Sequence, residues 1–308
     1  MRFLFLLFAL PVPVLAQTPT TTPTPTVSFD WKVRLSQGQK WTQSAQVSTD
    51  EQVNGAKFST STNFVWRNEV LFANDKEYVI NSTFTQFKQI SHINFDGVEQ
   101  YQPDRSKFTR AFVGVPFKIK LSTEGKVVAV SGLEKLRKSG EQSIAALAQS
   151  SAERAQLLHS LPPTDQLKDV IVIYQELTLP SHPLAIGSTY SHIFETYPTF
   201  LDGKKIPVKR TLLSFDQSEA RFGEAGALST FTDHPELRPL AKGERAAFEA
   251  FSGKVSGQTT VQVTTGLVQS HLDFRGNAKT TVIEGNGEKF TSLTKRQIQV
   301  NIATNLDP

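Results

Sequence analysis

The chain has 308 residues, no Cys, and 33 Lys and Arg against 29 Asp and Glu, for a formal net charge of +4. Without thiols it has neither disulfides nor thiolate metal sites, so its stability has to come from a sizeable apolar core. The small basic excess is spread thinly with no basic run, which argues against nucleic acid as a partner.

The first sixteen residues read as an address. Arg2 precedes the apolar run "FLFLLFALPVPVL", and Val14-Leu15-Ala16 offers a cleavage point before Gln17. The run is shorter than the ~20 residues that cross a bilayer, and Pro11 and Pro13 interrupt it. The expectation is a signal peptide over 1–16, export to the bacterial periplasm or exterior, and no integral membrane segment after cleavage. Residues 17–27, with "QTPTTTPTPT", predict an extended, solvated Pro/Thr linker.

A first β-rich half is expected over 28–131. In "FDWKVRL" Phe29, Trp31, Val33 and Leu35 share one face, and in "KFSTSTNFVWRNEVLF" Phe58, Phe64, Trp66, Val70 and Phe72 share one face, diluted by Thr60 and Thr62. Such alternation predicts antiparallel strands, wet on one side and packed on the other. Asn54-Gly55, Asn74-Asp75, Asp96-Gly97 and Glu124-Gly125 are the expected hairpin turns. Between Lys76 and Phe95 the apolar parity changes, from Tyr78, Ile80 and Phe84 to Phe87, Ile93 and Phe95, which predicts a bulge.

Residues 132–178 are expected as a helical connection. "GLEKLRKSG" and "SIAALAQSSAERAQLLHS" are rich in helix formers, with Ile144, Leu147, Ser151, Ala155 and Leu158 as a thin stripe stopped by Pro162 and Pro163. "TDQLKDVIVIYQEL" follows with Thr164 as a candidate N-cap, although its "VIVIY" also suits a buried strand. A second β-rich half is expected over 179–308, with turns at Asp202-Gly203, Thr265-Gly266, Gly276-Asn277 and Gly285-Asn286-Gly287. "GERAAFEAF" suits either helix or strand.

"LSQGQKW" (35–41) opens the first half and "LAIGSTY" (184–190) the second. In each, Gly supplies a sharp bend and an aromatic follows where the next strand begins. "TEGKVVAV" (123–130) and "TTGLVQSH" (264–271) form a later echo in the same order. Duplication of a β-sheet unit explains both; so does chance recurrence in a β-rich chain. The fold class read here is α+β, mainly antiparallel β, with two curved-sheet halves joined by a helical segment.

"LSQGQKW", "EGKVVAVSGLEKL" (124–136), "LPSHPLAIGSTY" (179–190) and "TGLV" (265–268), taken in order, resemble a family of exported bacterial proteins known only as a domain of unknown function. The resemblance brings no catalytic residues. More remotely the pattern is similar to the half-barrel carriers of lipids and lipoproteins in bacterial envelopes, which implies a curved sheet around a helix with an apolar cavity.

Motifs for chemistry are sparse. The six His lack metal-ligand spacing, and His182 and His192 are split by an expected turn. "SLTK" (292–295) fits Ser-x-x-Lys but lies in an expected strand, without the partner motifs that this chemistry needs. Asp96 and Asp202 precede Gly in expected turns, and Glu69, Glu77, Glu195 and Glu284 read as solvated strand positions. No cofactor is expected.

Aromatics carry the remaining signal, 22 Phe against 1 Met. Most should fill a core under the curved sheet, and some should line an incompletely filled interior. Trp41, Phe64, Trp66, Tyr190 and Phe194 are the expected lining residues for a lipid-like or other apolar small molecule. The leading reading is therefore a non-enzymatic binding protein. A protein–protein or surface-structural β-module and, third, a hydrolase are the alternatives.

Overall fold

The computed structural model describes residues 28–307 apart from 55, 96–97, 102–109, 162, 195–205, 232–237, 240–244 and 284–286. The expected signal peptide and linker, and the turns at Asp96-Gly97 and Asp202-Gly203, lie outside the described residues.

Six strands come first: β1 (Lys40–Val53), β2 (Ala56–Ala73), β3 (Glu77–Phe95), β4 (Val98–Tyr101), β5 (Pro116–Ser122) and β6 (Val127–Ser131). Three helices follow, α1 (Leu133–Leu147), α2 (Ser151–Ser160) and α3 (Thr164–Gln175). The chain returns to strands with β7 (Thr189–Phe194), β8 (Ile206–Phe215), β9 (Glu219–Phe231), β10 (Arg238–Pro239), β11 (Arg245–Gln262), β12 (Val268–Ile283) and β13 (Lys289–Leu306).

The strands form one open, curled antiparallel sheet in the order β6-β5-β3-β2-β1-β13-β12-β11-β9-β8-β7, with β4 beside β3 and β10 beside β11. The chain meanders outward from β1 to one edge, and the helices carry it to the other. It then meanders inward until β13 pairs with β1. The halves are thus sewn into one sheet along the β1–β13 seam. "GERAAFEAF", ambiguous in sequence, falls mostly in β11.

Alternation places the core. Trp41, Gln43, Ala45 and Val47 of β1 and Phe64, Trp66, Asn68 and Val70 of β2 are buried. The parity change in β3 is a bulge: Gln86 pairs with Val65 and Phe84 with Trp66, leaving Thr85 unpaired. The Thr85 hydroxyl donates to the Val65 carbonyl, and both Phe84 and Phe87 stay buried.

The helices correct two expectations. The run 143–160 breaks at Gln149, because Ser150 caps α2 by accepting the Glu153 N–H while the Glu153 carboxylate accepts the Gln149 N–H. Ser151 and Ala155 are exposed rather than part of a buried stripe. At α3 Pro163 holds the cap position, and Thr164, the first helical residue, donates instead to Glu134. Gly140 lies inside α1, where a Cβ would sit 2.8 Å from the Leu161 side chain. Gly276-Asn277 is no turn: both lie inside β12, where a Cβ on Gly276 would overlap the Phe274 ring.

Residues 28–39 strap one end of the sheet. Phe29 exchanges backbone hydrogen bonds with Leu184, and the Arg34 N–H donates to Thr265. The Trp31 Nε1–H reaches the Gly266 carbonyl at 3.0 Å, and the Tyr78 hydroxyl the Val33 carbonyl at 2.9 Å.

The sequence echoes correspond to matching turns. Gly38 and Gly187 have φ of 83° and 87°. Gly38 N–H donates to Val70 and Val70 N–H to Gln39; Gly187 N–H donates to Leu212 and Leu212 N–H to Ser188. Beside them the ladders slip at Leu71 and at Leu213. Gly125 and Gly266, with φ of 79° and 77°, turn β5 into β6 and β11 into β12.

Candidate functional site

The helices lean on the first half. The Tyr174 ring of α3 lies 5.8 Å from Phe64 and 6.3 Å from Trp66, and Gln43 Nε2 donates to the Tyr174 carbonyl at 2.8 Å. On the side of the second half a cavity of about 510 Å³ remains. Val172 and Ile173 of α3, Leu177, Val268 and Leu272 of β12, and Val300 and Ile302 of β13 give it an apolar wall. Trp31 of the strap also lines it, together with Glu176, Thr178, Ser191, His192, Ile193, Arg210 and Ser270. Ile193, half exposed, lines it from the β7 edge of the sheet.

Its polar wall belongs to a row of side chains across five neighbouring strands. Tyr190 pairs in register with Arg210, Arg210 with Glu224, and Thr259 with Ser270. The Glu224 side chain is fully buried, and those of His192 and Arg210 are 7% and 9% exposed. Charges this deep are tolerated only when paired and hydrogen-bonded. Arg210 donates through Nε and Nη2 to Glu224 Oε1 at 3.0 and 2.8 Å, and through Nη1 to the Tyr190 hydroxyl at 3.0 Å. Its guanidinium carbon lies 5.5 Å from the Trp31 ring centre and 5.8 Å from that of Tyr190. Thr259 donates to Glu224 Oε1, and His192 Nε2 meets Oε2 at 2.8 Å. Ser270 Oγ continues the row 2.7 Å from Thr259 Oγ1.

Burial alone would raise the Glu224 carboxyl. The His192 hydrogen bond, the Arg210 charge and the Thr259 hydroxyl outweigh it and hold the group at about 2. Burial pushes the Tyr190 phenol up to about 12 against the pull of Arg210. Near neutral pH the row therefore carries an ionised Glu224, a cationic Arg210 and a neutral Tyr190.

The expected lining residues are not gathered in one place. Phe64 and Trp66 sit in an aromatic cluster with Phe84, Phe87 and Tyr174. Trp41, 1% exposed, borders a separate void of about 10 Å³ with Gln43, Gln175 and Thr304. None of these three lines the large cavity. Tyr190 stands behind it, donating to the carbonyl of the lining residue Thr178. Phe194 ends β7 opposite Ile206.

Sequence reasoning missed Arg210, Glu224, Thr259 and Ser270, and took His192 only as a poor metal ligand. A signal was present. In "IPVKRTLLSF" Arg210 shares the parity of Ile206, Val208 and Leu212, and in "EARFGEAGAL" Glu224 shares that of Ala220 and Phe222. A charge in the apolar phase of two consecutive strands announces a buried pair. "SLTK" lies within β13, where Ser and Lys do not stand one helical turn apart. Glu69 and Glu77 face Lys40 and Lys120 near the surface, and Glu195 and Glu284 lie outside the described residues. Among the described residues no three His, Asp or Glu gather as a metal site, and no helix is long and apolar enough to cross a membrane.

A comparison with curated proteins finds no match. Among solved structures, a lipovitellin structure described by its lipid–protein interactions aligns at a TM-score of 0.47 and 8% identity, over 89% of this chain and 26% of that one. The chain thus spans about a quarter of the lipovitellin chain. The outer membrane protein OprG from Pseudomonas aeruginosa aligns at 0.26 and 7% identity, over 86% of this chain and 95% of that one. An outer membrane channel from Pseudomonas putida F1 aligns at 0.22 and 8% identity, over 87% and 97%. None of the three scores implies a common fold. Residues 75–268 match the model of a family of unknown function, DUF6263, and since that match takes in more than half of the chain, the protein belongs to this family.

Proposed function

We propose that the protein is an exported, non-enzymatic binding protein that holds an apolar or amphipathic molecule between α3 and the second half of the sheet. The cavity carries this reading: about 510 Å³ lies within the range of small-molecule sites, with an apolar wall and a few polar groups at one side. The polar row supports binding over catalysis. Its members spend their hydrogen bonds on one another, and a carboxylate held at about 2 is too weak a base to take protons near neutral pH. Export rests on the features of residues 1–16.

Nile red binding to the purified protein tests this. Val300→Phe and Leu272→Phe place rings into the apolar wall. Each is expected to weaken dye binding by at least about 10-fold while the thermal midpoint stays within a few degrees. Dye binding that survives both substitutions, or never occurs, removes the cavity from the account.

The same proposal takes the two halves as copies of one unit. Matching glycine turns, matching ladder slips at Leu71 and Leu213, and the shared strand order support it. In this view β13 and the helical segment hold corresponding places, each following the last strand of its copy.

A further inference from the structure

We infer that the polar side of the cavity accepts a hydrogen bond from an uncharged hydroxyl, so that the site takes a long-chain or polycyclic alcohol in preference to the carboxylate of the same skeleton. This rests on the binding reading above and narrows it to one headgroup chemistry.

The direction of the hydrogen bonds sets the preference. Ionised Glu224 only accepts, and the single Thr259 hydroxyl proton goes to it. Thr259 therefore has no proton for Ser270, and the 2.7 Å contact between their oxygens requires Ser270 to donate. With its proton committed, Ser270 presents only lone pairs to the cavity it lines. A ligand group placed there has to bring the donor.

Neighbouring ionisable groups offer an anion little. Arg210 gives Nε and Nη2 to Glu224 and Nη1 to Tyr190, with Trp31 and Tyr190 beside its guanidinium. His192 meets Glu224 through Nε2, and its Nδ1 lies 3.3 Å from the Ile193 carbonyl. The charges of Arg210 and Glu224 offset each other, while Glu176 adds a negative charge to the lining. A carboxylate would be desolvated without a cation of its own and would meet the lone pairs of Ser270. A hydroxyl meets no such opposition.

Calorimetric titration of the intact protein with dodecanol, dodecanoate and dodecylammonium tests the headgroup, and cholesterol asks whether a polycyclic alcohol serves as well as a linear one. Dodecanol is expected to bind at least about 10-fold more tightly than dodecanoate. Ser270→Ala should weaken dodecanol by about 5-fold and leave dodecanoate no weaker, narrowing the preference from both sides, while Ser270→Thr, which keeps the hydroxyl, should retain it. Binding of either alcohol with this selectivity supports the inference. Dodecanoate or dodecylammonium binding as tightly as dodecanol, or a Ser270→Ala protein that still prefers the alcohol by the same factor, overturns it and leaves the cavity reading standing. No binding by any of the four overturns both.

Discussion

Glu224→Gln keeps the shape of the side chain and removes its charge. In the folded protein the carboxyl is held at about 2, against an ordinary value of 4.5. That difference corresponds to about 3 kcal/mol of stability at neutral pH. A second route gives a similar size: the substitution strands Arg210, whose side chain is only 9% exposed, and breaking a buried pair from one side costs about 3–5 kcal/mol. Because the folded value lies below the unfolded one, the unfolded chain takes up the proton first as the pH falls. The stabilisation is whole above about pH 4.5 and drains away as the pH falls through 2. Urea unfolding of both proteins, from neutral pH down to about pH 2, measures the gap directly. It should stand near 3 kcal/mol at neutral pH and close toward the acid end, where protonated Glu224 resembles Gln. A gap that is the same at every pH would mean that the ion pair is not what stabilises the row.

Two further substitutions separate backbone strain from steric overlap. Gly38→Ala places a Cβ at φ +83° with nothing within 4 Å, and should cost about 1–2 kcal/mol in urea unfolding. Gly266→Ala has φ +77° but would also press on the Lys32 carbonyl oxygen of the strap; it should cost clearly more and alter Trp31 fluorescence. Equal losses would deny the strap its packing role. Phe64→Ala removes a fully buried ring 4.7 Å from Phe87 and 5.5 Å from Trp66, and should cost about 3–5 kcal/mol. Leu71→Ala, at an exposed bulge, should stay within about 0.5 kcal/mol, and similar losses at both positions would contradict the assigned core.

Much of the sheet was legible because its physical cause is local. Alternation at Trp41 to Val47 and Phe64 to Val70 reports which side chains leave water, and the parity change around Thr85 reports a bulge without any view of the partner strand. Asn74 and Gly125 announced turns by their own conformational needs. Gly276 misled for the converse reason: its need is set by Phe274, which lies over it, and no local rule separates that from a turn. The break at Ser150 was written in Ser-x-x-Glu but submerged in a run of helix formers. The site was less legible because it depends on which strands become neighbours. Trp41, Phe64 and Trp66 have the composition of a cavity wall, but α3 covers their side of the sheet. Arg210 and Glu224 could have been paired in advance, had a charge in the apolar phase been treated as a signal rather than as noise in the alternation.

The two halves suggest why the opening lies where it does. Register places Trp41, Asn68 and Ser82 side by side across β1, β2 and β3, and Tyr190, Arg210 and Glu224 side by side across β7, β8 and β9. Each row follows its own glycine bend, and each holds a buried polar pair. In the first half the pair is neutral, the Ser82 hydroxyl donating to Asn68 Oδ1 at 2.6 Å. A neutral pair joined by one short hydrogen bond costs less to bury than an ionic one, even with Asn68 Nδ2 left without a partner at a cost of about 1–3 kcal/mol, and the Tyr174 ring of α3 presses on that side. In the second half the pair is ionic, and removing two charges from water costs several kcal/mol per ion before any attraction is recovered. His192, Thr259 and Tyr190 offset that cost with hydrogen bonds, and a helix laid over the row would have had to compete with them for position. With the helices drawn to the neutral row, space remains beside the charged one. On this argument, making the second row neutral at similar volume with Arg210→Met and Glu224→Gln together should let the helices close on it, shrink the cavity and weaken apolar-dye binding without unfolding the sheet. Dye binding retained at full strength in that double variant would separate the position of the cavity from the charge of the row beside it.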